Sequence, residues 1–172
     1  MKGQLKQGIL KADNFKYPER YIGKDRDKIV YRSSWEYSFM TQFLDSPSIN
    51  VEGWNSEEFI VHYRSVDGRM HRYFLDFYVK FKAHNGETWN LLIEIKPYNQ
   101  TIRPKMSAKS SKTRKTLNSE VETYKINQLK WQSARQLCKQ KTMNSNEKWF
   151  FWVLHEHHIN FVPMRLLKKN SK

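Results

Sequence analysis

The chain has 172 residues, with 31 lysines and arginines against 17 aspartates and glutamates, a net charge of +14 and a pI near 9.8. That length fits one domain with a proper core, an aromatic content of 15% supplies bulky residues to fill it, and the single cysteine, Cys138, excludes an internal disulfide. No apolar stretch approaches the roughly 20 residues that span a bilayer, and the charge points to a polyanionic partner, of which nucleic acid is the commonest soluble one.

Residues 1–28 lack the apolar core of a secretory signal and read as a basic N-terminal arm, followed by a single domain over 29–167 and a basic tail over 168–172. Along Tyr21 to Arg32, the cations Lys24, Arg26, Lys28 and Arg32 either contact phosphates or form a solvated lead-in. A helix is predicted from Ser34 to Leu44, with Trp35, Phe39, Met40, Phe43 and Leu44 as its apolar stripe and Asp45-Ser46-Pro47 as its end. Glu36 has two readings: at the edge of that stripe it can face the sheet, and at capping-box spacing in Ser33-Ser34-Trp35-Glu36 it reaches back to the Ser33 N–H.

Glu57 to Arg64 read as a first strand and Ser65 to Arg69, with Asp67-Gly68, as a hairpin turn. Met70 to Phe81 then alternate so that Arg72, Phe74, Asp76 and Tyr78 share one face. After a turn at His84 to Gly86, Leu91, Leu92, Ile93 and Ile95 make the near-continuous apolar run of a strand covered on both faces. Glu94 and Lys96 lie two apart in that run and share a face, and antiparallel pairing brings Asp76, with seventeen residues between it and Glu94, close to them.

Residues 97–118 contain Arg103, Lys105, Lys109, Lys112, Arg114 and Lys115 and no acid, a basic loop that is either a solvated linker or a phosphate clamp. A helix follows over Ser119 to Lys141, with Ile126, Leu129, Ala134, Leu137 and Cys138 on its inner side. Lys130 lies at the edge of that side, placed to reach the carboxylates or DNA, or to pair with an acid such as Glu36. Lys148 to His155 is a strand, Glu156 to His158 a turn and Ile159 to Val162 a last short strand. The resulting order is αβββαβ, an α/β domain with a mixed central sheet flanked by helices.

Asp76, Glu94 and Lys96 inside apolar runs are costly unless they have a role. Clustered carboxylates bind a hard divalent cation such as Mg²⁺, and a neighbouring lysine orients water or offsets phosphate charge, so phosphodiester hydrolysis is the natural reaction. The alternative is a solvated surface strand or a Glu–Lys bridge to its neighbour.

Asp76 with Glu94-Ile95-Lys96 resembles the PD-(D/E)xK nuclease core of restriction-endonuclease-like proteins, although Leu75 stands where the eponymous proline would be. YRSSWEYSFMTQFLD is similar to the opening helix of the head completion nucleases of T-even-like bacteriophages, and a similar helix glutamate occurs in the endonuclease subunit of heteromeric bacterial transposases. The likeness continues through RYFLDFYVK, LLIEIKP and ETYKINQLKWQSA, roughly residues 28 to 140.

The resemblance implies a restriction-endonuclease-like fold with Glu36, Asp76 and Glu94 holding Mg²⁺ or Mn²⁺ and Lys96 assisting attack. Asn127, Lys130 and Trp131 match the helix after the core. It implies an endonuclease that cuts DNA in phage head completion, with capsid or portal components as partners and the host cytoplasm or the virion as its place; charge and position put Arg32, Lys130 and the basic loop on that DNA. Two alternatives stand beside it: a non-catalytic DNA- or portal-binding assembly protein, and a transposase-like or junction-resolving nuclease.

Overall fold

The apolar run expected to be covered on both faces becomes the middle of the molecule, with each residue from Asn90 to Ile95 buried. The structure, a computed structural model, describes residues 7–105 and 113–158. Its strands are β1 (Gly8–Leu10), β2 (Ile29–Tyr31), β3 (Val51–Ser56), β4 (Ile60–Arg64), β5 (Met70–Phe74), β6 (Phe77–Lys82), β7 (Thr88–Ile95) and β8 (Lys148–Leu154). The helices are α1 (Ser34–Ser38), continued as a π-helix over Phe39–Leu44, α2 (Tyr98–Thr101) and α3 (Arg114–Met143).

The central sheet runs β3-β6-β7-β8, antiparallel except for the parallel β7–β8 pair that α3 connects. Because side chains alternate across a strand, the sheet feeds two cores. On one face Phe77, Val79, Leu91, Ile93 and Ile95 pack with Phe39, Met40 and Leu44. On the other, Leu92 packs with Trp131, Ala134 and Cys138 of α3 and with Val61, Tyr63 and Tyr73 of the separate two-stranded ribbon β4–β5. This is a mixed α/β fold with a mixed central sheet.

The element order nevertheless differs from αβββαβ. Two strands precede α1, and β3 forms from VEGWNS, whose Gly, Asn and Ser are poor strand formers; pairing with β6 and burial of Val51, Trp54 and Ser56 outweigh propensity there. The continuous alternation of Met70 to Phe81 is cut at Leu75-Asp76, so that β5 joins the ribbon and β6 the central sheet. Both turns appear where glycine takes positive φ, Gly68 at 78° and Gly86 at 80°. The expected strand at Ile159 to Val162 and the 168–172 tail lie outside the described residues.

The basic arm differs most. Residues 8–28 are folded onto the sheet: β1 pairs with β2, Ala12, Phe15 and Tyr21 are buried, and Phe15 and Tyr21 meet Trp54 edge-on at 5.3 and 4.9 Å. Its polar groups are used locally, since Asp45 accepts the Lys16 and Tyr17 N–H groups and the Arg26 guanidinium donates to the Pro18 and Tyr21 carbonyls. Few apolar anchors suffice when their partner is a tryptophan already in the core.

A Phe15→Ala variant should therefore lose about 3 kcal/mol of unfolding free energy, the scale of a buried Phe truncation. Urea unfolding measures it, and an unchanged midpoint would mean that the segment is an arm after all.

Candidate active site

Asp76 sits where the chain passes from the ribbon to the central sheet, and its position is fixed by backbone bonds on both sides. Leu75 N–H donates to the Phe59 carbonyl at 3.0 Å, and the Asp76 carbonyl accepts the Glu57 N–H at 3.2 Å. The Asp76 side chain turns to β7, where its Oδ2 accepts the Ile95 N–H at 2.6 Å. Glu94, on the same strand, is buried, and Lys96 Nζ lies 2.8 Å from Glu94 Oε1 and 4.0 Å from Asp76 Oδ2. The fold thus brings Asp76, Glu94 and Lys96 together.

These groups line a cleft of about 480 Å³ with Arg32, Glu57, Arg72, Tyr73, Phe74 and Lys130. Burial, and after it the Glu94 charge, hold the Asp76 carboxyl well above the usual carboxylate range, with Lys96 opposing. Burial works against charge on Lys96, but Asp76 and Glu94 outweigh it and raise its pKa. Lys96 is accordingly a firm cation and not a proton acceptor at neutral pH.

Glu36 is buried at the N-terminus of α1, where both sequence readings meet. Its Oε2 accepts the Arg32 N–H at 2.7 Å and its Oε1 the Ser33 hydroxyl at 2.8 Å, while Ser33 Oγ accepts the Glu36 N–H at 3.1 Å. The reach-back therefore goes to Arg32, one residue before the expected Ser33 N–H. Burial raises the Glu36 pKa against these hydrogen bonds, and Lys96 and Asp76 are within electrostatic reach.

Arg32 stands at the cleft mouth and grips Glu57 with two guanidinium nitrogens, Nη2 to Oε2 at 2.6 Å and Nε to Oε1. The sequence pattern puts Glu57 at the start of a strand. It is instead a bend residue with a φ of 55°, a left-handed conformation that a non-glycine rarely adopts. Nothing in a local pattern marks such a residue; Arg72 lies beside Asp76 as the alternation expects, whereas Tyr73, on the opposite face of that alternation, lines the cleft because the break after Phe74 is a tertiary event.

The basic residues after the core are dispersed. Lys130 lies over the Tyr73 and Tyr63 rings, 5.3 and 5.8 Å from their centroids, inside the cleft and not paired with Glu36. Arg103 and Lys105 line a larger cavity, about 830 Å³, beside α2 and α3 with Tyr124 and Asn127; its one carboxylate is Glu120, whereas the smaller cleft holds Asp76, Glu94 and Lys96 together. Arg114 and Lys115 are exposed in the first turn of α3, which begins earlier than Ser119 because Thr113 caps it by accepting the Thr116 N–H. Lys109 and Lys112 lie outside the described residues.

Residues 48–148, more than half of the chain, match the TnsA-like endonuclease N-terminal family. The chain belongs to that family. The match contains Asp76, Glu94 and Lys96 and begins after Glu36. Comparison with curated proteins and with solved structures gives no match. A TnsA-like endonuclease domain is a nuclease of the restriction-endonuclease-like kind, DNA is the substrate it implies, and among the described residues no helix is long and apolar enough to cross a membrane.

The carboxylates of the TnsA-like domain that face its cleft are Asp76, Glu94 and Glu57. Glu94 Oε2 is buried and has no hydrogen-bond partner among the described residues, although the Tyr73 hydroxyl lies close enough for Glu94 to raise its pKa after burial does. The Tyr73 hydroxyl is therefore the donor nearest to that buried carboxylate. Among the described residues no three His, Cys, Asp or Glu side chains are arranged to hold a metal together, and both Glu36 oxygens already have partners.

The close acid pair makes a signed prediction. A raised pKa means that native Asp76 binds its proton more tightly than the unfolded chain, so in EDTA stability falls as pH climbs from about 4 through the folded-state value. Asp76→Asn, which keeps an acceptor for Ile95 N–H, should raise Tm in EDTA by a few degrees, roughly 1 kcal/mol, and flatten that fall. Thermal unfolding checks both, and an Asp76→Asn protein no more stable than wild type would show that the carboxylates do not repel.

Proposed function

We propose that the domain is a Mg²⁺- or Mn²⁺-dependent DNA endonuclease that acts in phage head completion after packaging, in the host cytoplasm or on the virion. The observation that carries the chemistry is the pairing of buried Glu94 with half-buried Asp76, with Lys96 Nζ 2.8 Å from Glu94 and 4.0 Å from Asp76. Asp76 and Glu94 would hold the cation, and Glu36 would join them by releasing Ser33. A divalent cation held there supplies Lewis acidity toward a phosphate oxygen and toward water. Lys96 keeps its proton, and its ammonium orients the attacking water and offsets charge on the phosphate. Arg32 and Lys130, both lining the cleft, position the phosphodiester. The head-completion setting rests on the likeness of YRSSWEYSFMTQFLD and the motifs after it, and capsid or portal components are its proposed partners.

The family match favours a second reading, a transposase-like endonuclease that cuts with a partner subunit or on a structured substrate.

Pure protein should cut duplex DNA in Mg²⁺ or Mn²⁺ and not in EDTA. Asp76→Asn, Glu94→Gln and Lys96→Met should each lose at least about a thousandfold in rate, the scale of several kcal/mol of charge stabilisation. Plasmid nicking, linear duplex, branched and single-stranded substrates measure this. Cutting confined to branched DNA, or to the presence of a partner, would favour the second reading, and binding without any cutting would favour a non-catalytic assembly protein.

A further inference from the structure

The β4–β5 ribbon has one face too many for a purely structural role. Val61, Tyr63 and Tyr73 point inward to α3, and this burial accounts for its packing. The opposite face carries three directly paired positions, Ile60 with Phe74, His62 with Arg72 and Arg64 with Met70. Met70 and Phe74 are 57% and 46% exposed, and among the described residues no carboxylate forms an ion pair with Arg64 or Arg72. The one acid of the turn, Asp67, engages His71 at 3.3 Å on the other side of the register. Arg72 lies 5.7 Å from the Phe74 ring centroid, and both residues line the cleft with Asp76 and Lys96.

A cationic face with two uncovered apolar side chains, continuous with the carboxylate cleft, complements a polyanion that also offers sugar and base surface. A two-stranded ribbon fits the roughly 12 Å major groove of B-DNA. At about 3.4 Å per residue its five paired positions cover about 14–17 Å, which is about four to five base pairs.

We propose that the outward face of the ribbon seats the DNA duplex on one side of the cleaved phosphate, with Arg64 and Arg72 on backbone phosphates and Phe74 against the sugar nearest the cleft. The proposal rests on the endonuclease reading, since the duplex it seats is that enzyme's substrate.

The test is fluorescence anisotropy of a labelled duplex with the full chain in EDTA across a salt series. Circular dichroism confirms that the outward-facing variants keep their fold. Arg64→Ala with Arg72→Ala should lower the slope of log affinity against log salt by about two, one per lost phosphate contact. Phe74→Ala should weaken binding about tenfold at an unchanged slope. A photo-crosslinker at Met70 should label DNA about four nucleotides from one placed at Phe74. An unchanged slope in the double variant, or its loss on single strands alone, overturns the proposal. So does an unchanged affinity accompanied by capture of a protein partner through this face. Wild-type cutting with an unaffected double variant leaves the endonuclease standing and removes the ribbon; a lost slope in a protein that never cuts does the reverse.

Discussion

Two carboxylates, Asp76 and Glu94, share a space from which most water is excluded, and one lysine offsets their repulsion. Removing a charge from water is expensive, and a second like charge beside it raises the expense. The surrounding structure is arranged to hold this pair in place. Asp76 Oδ2 is tied to the backbone of β7, Lys96 continues the β7–β8 ladder through its N–H to the Leu154 carbonyl at 3.0 Å, and Leu92, Ile93 and Ile95 pin the strand between two cores. Such a pair is a liability for folding alone, which is the usual mark of a site kept for its chemistry.

A second layer ties the outlying acids to that pair. The Asp76 carbonyl holds the Glu57 N–H, the Glu57 carboxylate holds the Arg32 guanidinium, and the Arg32 N–H is held by Glu36. This chain of contacts sets the N-terminus of α1 against the junction of β5 and β6. The left-handed backbone at Glu57 belongs to it, since that φ turns the N–H toward Asp76 and the side chain toward Arg32. Strain of that kind persists only where several contacts determine it together. Arg32 is 63% exposed while Glu57 is 20% exposed, so the arginine is the solvent-facing member of the pair.

What was legible in the sequence is what local chemistry decides. Ser33 caps α1, Asp67-Gly68 turns the hairpin, and the Leu91 to Ile95 run is the buried strand, because each depends on residues within a turn or two. Asp76, Glu94 and Lys96 could be grouped because period-two alternation and one antiparallel pairing are enough to bring them together. The break at Leu75-Asp76 was invisible, since alternation continues through it and only the partners change. The packed N-terminal segment was hidden by its charge: Arg20 and Arg26 look like solvent-facing cations and instead donate to backbone carbonyls. The π-helical turn after α1, where the Asp45 N–H reaches the Met40 carbonyl, depends on packing Phe39, Met40 and Leu44 together on the sheet.

The same break explains why a carboxylate, and not an apolar residue, can stand at position 76. Within a continuous strand the residue after fully buried Leu75 would lie over the second core beside Tyr78. Because the chain leaves one sheet there and enters another, the side chain opens toward the cleft and remains 13% exposed. The ribbon is thereby attached to the cleft through two residues, Leu75 as its apolar anchor and Asp76 as the acid that faces Lys96. Any load on the outward face of β5 reaches Asp76 without crossing a flexible loop. A surface and a site built on one short stretch of chain keep a fixed separation, which is what an enzyme needs if binding energy gathered several base pairs away is to be used in aligning one phosphate.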